Sequence, residues 1–143
     1  MKAYLNVINV IEQELQANPF INTVSYGDIF DLDLSKQTLF PLGHYIVGTV
    51  TYESQILIIP ISLMVGAISD DGESHKYTLA ETMTPIVKLL EVFSRGDLRD
   101  DRYHLRGTPS ITPFRERGEN DLYGWECSFS VEVPNEMSNE SER

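Results

Sequence analysis

The stretch WECSFSVEV, residues 125–133, alternates strictly between apolar and polar side chains. Because successive side chains of a β-strand point to opposite faces, this pattern predicts a strand with one buried face and one face in water. Pro134 ends the strand. A half-buried strand of this kind is typical of an antiparallel sheet with helices packed on one side only.

Two amphipathic helices are predicted to cover that side. In residues 3–17 apolar residues recur at spacings of three and four, and Asn18-Pro19 ends the pattern. A second helix is predicted for residues 78–94, with Thr78 and Glu81 at the spacing of a capping box. Pro85 leaves an alternative start at Thr84, but the apolar stripe begins earlier and favours the longer helix.

The remaining strands are less sharply marked. Residues 21–30 and 103–114 read as strands, and residues 44–52 and 55–65 as a hairpin that turns near Glu53-Ser54. Pro60 lacks an N–H, so we expect it at a bulge or on the unpaired side of an edge strand. The sequence therefore predicts an α+β fold. It is an antiparallel sheet of about four to five strands with both helices on one face, in a single domain of residues 1–134 followed by a polar, flexible tail of residues 135–143.

A long ordered arm, residues 31–43, is predicted between the first and second strands. It carries more apolar side chains than a lone loop leaves in water, so it either folds back over its own sheet or lies across a neighbouring subunit. The candidate subunit-contact residues of the arm are Leu32, Leu34, Leu39 and Phe40. Further candidates are the charged residues Asp100, Asp101 and Arg102, and Pro60, whose edge strand would pair with a partner strand.

Composition excludes several classes of function. The 143 residues include 11 basic and 22 acidic ones, for a formal charge of −11. This balance disfavours binding to nucleic-acid phosphates or to anionic membranes, although DNA can still slide past an acidic wall. The chain begins without a signal-peptide pattern, and its longest apolar run is too short to span a bilayer. We expect synthesis in the cytoplasm and no membrane insertion.

No catalytic constellation is visible. His44, His75 and His104 fall in different segments, which disfavours a metal site. Cys127 lies on the apolar face of its strand, where a thiol behaves as a small hydrophobic group. The acidic turn at residues 70–73 lacks calcium-loop spacing, and no glycine-rich phosphate loop is present. We predict neither enzymatic activity nor a cofactor.

The tripeptide Arg95-Gly96-Asp97 spells an adhesion-receptor signal. It directly follows the second helix, where a basic residue favours the helix dipole and a glycine forms a left-handed cap. We interpret it as a helix end.

The order of elements resembles that of the tail-terminator and tail-completion (neck ring) proteins of tailed bacteriophages. The likeness covers nearly the whole chain and is closest to small virion proteins of Bacteroidetes-infecting phages, including crAss-like phages. It is carried by the stretches at residues 18–24, 35–42, 96–98 and 124–125.

This resemblance implies a structural virion protein that forms a closed ring at the neck or tail end. The ring, six-fold or alternatively twelve-fold, would join tail-tube and connector proteins and let DNA pass without binding it. Glu126 and Glu132 are then candidates for acids that face the lumen. The alternative is an adaptor that binds a partner protein through the arm and belongs to no ring.

Overall fold

The computed structural model describes residues 2–27, 41–68, 72–94, 104–117 and 121–134. The predictions for residues 31–40 of the arm, for Arg95-Gly96-Asp97 and for the tail lie outside these residues; the predicted end of the arm at residue 43 was wrong, because a strand already begins at Leu42. The elements are α1 (Lys2–Ala17), β1 (Thr23–Tyr26), β2 (Leu42–Val47), β3 (Thr51–Glu53), β4 (Ile56–Ile68), α2 (Gly72–Ser94), β5 (His104–Arg117) and β6 (Asp121–Pro134). The protein is α+β, as predicted.

The strands form one mixed sheet of six strands. Their order is β1-β2-β4-β6-β5, and β3 also pairs with β4. All pairs are antiparallel except β1 and β2, which are parallel. The predicted strand count and the purely antiparallel arrangement were therefore wrong. A tight hairpin turn forces antiparallel pairing, whereas β1 and β2 are joined by more than a dozen residues, which is long enough for a parallel return.

The predicted hairpin is confirmed. β3 and β4 are joined by Ser54 and Gln55, whose φ angles of 47° and 68° are those of a type I′ turn. Between β2 and β3 the ladder bulges, because residues 48–50 face only Ile59 and Pro60. The Gly48 N–H donates to the Pro60 carbonyl at 2.9 Å, so the nitrogen of Pro60 faces the same bulge. Pro60 therefore lacks its N–H at a point where the bulged ladder has no regular hydrogen bond to form.

Both helices pack on one face of the sheet, as predicted. The core is formed by side chains of both helices and by the odd-numbered residues of the central strands β4 and β6. It contains Val7, Ile11, Leu15, Tyr45, Ile59, Ile61, Leu63, Val65, Ile86, Leu89, Phe93, Cys127, Phe129, Val131 and Val133.

The first helix matches its predicted range, but α2 begins at Gly72, earlier than the predicted Thr78. The capping box was therefore wrong: Thr78 lies within the helix, and its carbonyl accepts a hydrogen bond from the Thr82 hydroxyl. Pro85 lies inside the helix, which confirms the longer alternative.

A side-chain hydrogen bond ties α2 to the sheet. The Trp125 indole N–H donates to the Leu79 carbonyl at 2.7 Å. Pro85 lies six residues further along the same helix and cannot donate to the carbonyl of residue 81. Trp125 thus fixes the helix just before its proline, and a buried indole N–H gains the partner it needs.

The closest backbone approach in the sheet is at Gly124. It pairs with Gly66 across β4 and β6, and a Cβ on Gly124 would lie 1.9 Å from the Val65 carbonyl oxygen. Gly66 is also crowded, because a Cβ there would meet Phe114 and Leu122 at 3.0–3.1 Å. No side chain fits at Gly124 unless the two strands separate.

We therefore expect Gly124→Ala to lower the free energy of unfolding by about 3 kcal/mol, since overpacking forces backbone shifts. The matched control is Gly107→Ala, at a glycine with a φ of +73° and no atom within 4 Å of its Cβ position. It should cost only about 1 kcal/mol of backbone strain. Urea denaturation of both variants measures the difference, and equal effects would contradict the close approach.

Candidate interaction surface

The sheet face opposite the helices is polar along β6, whereas toward β2 its residues Leu42, His44 and Met64 are buried. In the described part of the chain no helix packs on it. The even-numbered residues of β6 lie here, with Glu126 and Ser128 exposed and Ser130 and Glu132 half-buried. The predicted division of this strand into a buried and a wet face is thus confirmed. We call this surface the outer face.

The outer face is acidic at its described positions. Arg106 on β5 contacts Glu132 at 3.3 Å and Glu53 at 3.4 Å. These ion pairs are solvent-exposed, so each contributes little to stability. With Glu126, three carboxylates share this face with one guanidinium, and the balance is negative.

Two shallow depressions run across the outer face. One, of about 320 Å³, lies between the bulge at Gly48 and the Arg106 side of β5. The other, of about 220 Å³, lies beside His44, Met64 and Glu126. They share Ser62 and Ser128, so together they form a continuous floor of short side chains. Such an open floor suits contact with an extended surface better than enclosure of a small molecule.

His44 has a structural role at the rim of the second depression. The Ser25 hydroxyl lies 2.7 Å from its Nδ1, and its Nε2 lies 2.7 Å from the Gly27 carbonyl oxygen. In the tautomer protonated at Nε2, the ring accepts from Ser25 and donates to Gly27. Both bonds join β1 to β2, which are paired over only four residues.

The other described histidines lie elsewhere. His75 stacks on Tyr123 with ring centroids 3.8 Å apart, and His104 lies at the start of β5. Within the described ranges no three His, Cys, Asp or Glu side chains are grouped in a way that could hold a metal ion.

A cysteine thiol and a tyrosine hydroxyl are buried on the side of the sheet that faces the helices. Burial raises the pKa of the Cys127 thiol to about 11. Burial, together with a hydrogen bond to the Glu12 carboxylate, also raises the pKa of Tyr45 far above its ordinary value. The Tyr45–Glu12 bond holds α1 against β2, and neither group reaches the outer face.

The predicted site residues separate into three groups: those outside the described residues, the two acidic residues of β6, and Pro60. Leu32, Leu34, Leu39, Phe40, Asp100, Asp101 and Arg102 lie outside the described residues. Glu126 and Glu132 lie on the same strand and the same face.

Pro60 belongs to β4, which is flanked by β2 and β3 on one side and by β6 on the other. Its prediction as an edge contact was wrong, because the bulge and not a free edge accommodates its missing N–H.

Sequence reasoning missed the open edge at β3. No described strand pairs with its far side, and Tyr52 and Val50 are 61% and 39% exposed. The exposed aromatic and β-branched residues before the turn were the available signal, but they predict a strand and not which of its sides stays unpaired.

No protein-family model matches the chain, and no curated protein is significantly similar to it in sequence. Among the helices that the structure describes, none is long and apolar enough to cross a membrane.

The raised pKa of Cys127 predicts an unreactive thiol. Below about pH 11 the buried group stays protonated, and the thiolate is the reactive form. Iodoacetamide at pH 8 should leave the native protein unmodified and should label it fully in urea, as measured by intact-protein mass spectrometry. Complete labelling of the native protein would contradict the burial.

Proposed function

We propose that this protein is a structural subunit of a symmetric ring in the neck or at the tail end of a tailed-phage virion. In this role it would act as a tail-terminator or tail-completion protein that joins the tail tube to the connector. The observation that carries the proposal is the acidic part of the outer face along β5 and β6, which none of the described helices covers. We propose no catalytic role.

The acidic face fits a wall past which DNA moves. Carboxylates repel the phosphate backbone, so a surface with an excess of Glu does not retain DNA. Glu126 and Glu132 would then face the lumen during genome ejection. Arg106 offsets part of the charge of Glu132, which leaves Glu126 as the stronger repulsive group.

The ring requires a contact that continues from copy to copy. A head-to-tail contact joins two different surfaces of successive copies. The assembly closes into a ring when the rotations between successive copies add up to a full turn. The proposed surfaces are the apolar arm around Leu32, Leu34, Leu39 and Phe40, and the charged residues 100–102. Six-fold symmetry is the proposed closure, with twelve-fold as its alternative.

The open edge at Val50 and Tyr52 also favours a second candidate. A monomeric adaptor could bind a partner protein there or through the arm. The two candidates differ in oligomeric state: the ring subunit associates with itself, whereas the adaptor stays a monomer until its partner is added.

The ring proposal predicts closed oligomers of the purified protein, alone or with a tail-tube or connector protein, in native mass spectrometry and negative-stain images. Changing Leu32, Leu34, Leu39 and Phe40 together to serine should abolish these oligomers and leave the thermal unfolding midpoint of the monomer nearly unchanged. Changing the exposed α2 residues Glu81 and Lys88 to serine is the control. A stable monomer that binds no virion protein would refute the ring.

The lumen assignment predicts a separate effect on ejection. Glu126→Lys should slow DNA ejection from virions several-fold, because it replaces repulsion of the passing phosphates with attraction. Glu81→Lys makes the same charge change on the exposed side of α2 and should have no effect. Ejection rates that are equal in the two variants would argue against a lumen at the outer face.

A further inference from the structure

The backbone of β3 presents unpaired groups to solvent. Because the Pro60 carbonyl accepts from Gly48, the even-numbered peptide groups of β4 face β2 and β3. Thr51 and Glu53, which pair with Ile58 and Ile56, therefore exchange hydrogen bonds with β4. The intervening Tyr52 directs its N–H and C=O away from the sheet, toward a side where no described strand lies.

The side chains at this edge suit contact with an apolar partner. Tyr52 and Val50 are exposed, and Tyr52 pairs with Leu57, which packs against the core. β3 contains neither proline nor lysine, and its only protective features are its length of three residues, the charge of Glu53 and the bulge that precedes it.

The opposite edge of the sheet is protected. The same alternation across β6 places the nitrogen of Pro113 on the free side of β5, where it offers no donor. The ladder of β5 is also interrupted by a bulge between Arg106 and Ser110. Direct pairing of the β5 edge of one copy with the β3 edge of the next is therefore disfavoured.

The sequence contains another segment suited to this edge. In FDLDL, residues 30–34, Leu32 and Leu34 alternate with Asp31 and Asp33, so an extended chain would be apolar on one side. Gly27, which directly follows β1, has a φ of 118°, so the backbone leaves the line of the strand at this residue. Tyr52 is 61% exposed, so the described part of its own chain leaves it largely uncovered.

We propose that residues 30–34 of a second copy of this chain add as a strand to the β3 edge, with Leu32 and Leu34 against Val50 and Tyr52. This proposal rests on the ring and specifies its contact. Backbone hydrogen bonds from Tyr52 supply the register, and the leucines supply the buried apolar area. The contact joins two different surfaces, so it repeats from copy to copy.

Disulfide trapping tests the pairing. A chain with both Leu34→Cys and Tyr52→Cys should give, on oxidation, a ladder of covalent multimers on a non-reducing gel. The control is Leu34→Cys with Thr112→Cys, which lies on exposed β5, and it should give no ladder. The buried Cys127 is present in both. A monomer with an internal disulfide, or the absence of any link, would overturn the proposal.

A backbone substitution separates this proposal from the ring itself. Tyr52→Pro removes the outward N–H and the aromatic side chain of the proposed contact but no bond to β4, so the monomer should keep its fold while ring assembly falls at least tenfold, whereas Tyr52→Phe should assemble normally. Circular dichroism checks the fold, and native mass spectrometry measures assembly. Rings that persist in the proline variant would overturn the strand addition and leave the ring intact. If the unsubstituted protein forms no ring but the variant with Leu34→Cys and Tyr52→Cys gives the disulfide ladder, only the ring is overturned.

Discussion

The antiparallel ladder between β4 and β6 is the constraint on which the rest of the structure depends. It pairs every residue of the 13-residue strand β4, from Ile56 to Ile68. The pair of Gly66 and Gly124 allows an approach that no side chain at residue 124 would permit. The position of these glycines favours one register, because a slip would bring a side chain into the backbone of the neighbouring strand.

That register gives the two faces of β6 different roles. A slip by one residue would turn Trp125, Cys127 and Phe129 into solvent and would bury Glu126. In the observed register the Trp125 indole donates to the Leu79 carbonyl. The ring centroids of Phe129 and Phe93 lie 6.0 Å apart. Both side chains of β6 therefore hold α2 against the sheet. On β6 the outer face then carries the carboxylates and serines of residues 126–132. The alternation of apolar and polar residues along β6 thus supplies side chains both to the core and to the candidate surface.

Local patterns account for the parts of the fold that the sequence predicted. The alternation in residues 125–133, the stripe of α1 and the hairpin turn each depend on neighbours in sequence. The start of α2 at Gly72 was missed because an acidic stretch with glycine reads as a turn, and packing overrode that preference. Three features that the sequence did not predict depend on which strands become neighbours. They are the parallel pairing of β1, the central position of Pro60 and the open side of β3. Local sequence does not encode that choice. On the candidate surface, alternation placed Glu126 and Glu132 correctly on the wet face, but no local signal pointed to Tyr52.

The two edges of the sheet are unequal, and this inequality bears on how copies can associate. If both edges were open, the sheets of many copies could pair edge to edge without limit, which is the usual hazard of exposed edge strands. Here Pro113 and a bulge close the β5 edge, while the edge at Tyr52 stays available. The β3 edge can accept a strand, but the sheet cannot extend through β5 on the other side; β1 forms the rest of the edge on the β3 side. Repeated association then needs a separate donor segment, and the number of copies is set by the geometry of that segment. The rotation between successive copies then decides whether the assembly closes into a ring or continues as a fibre.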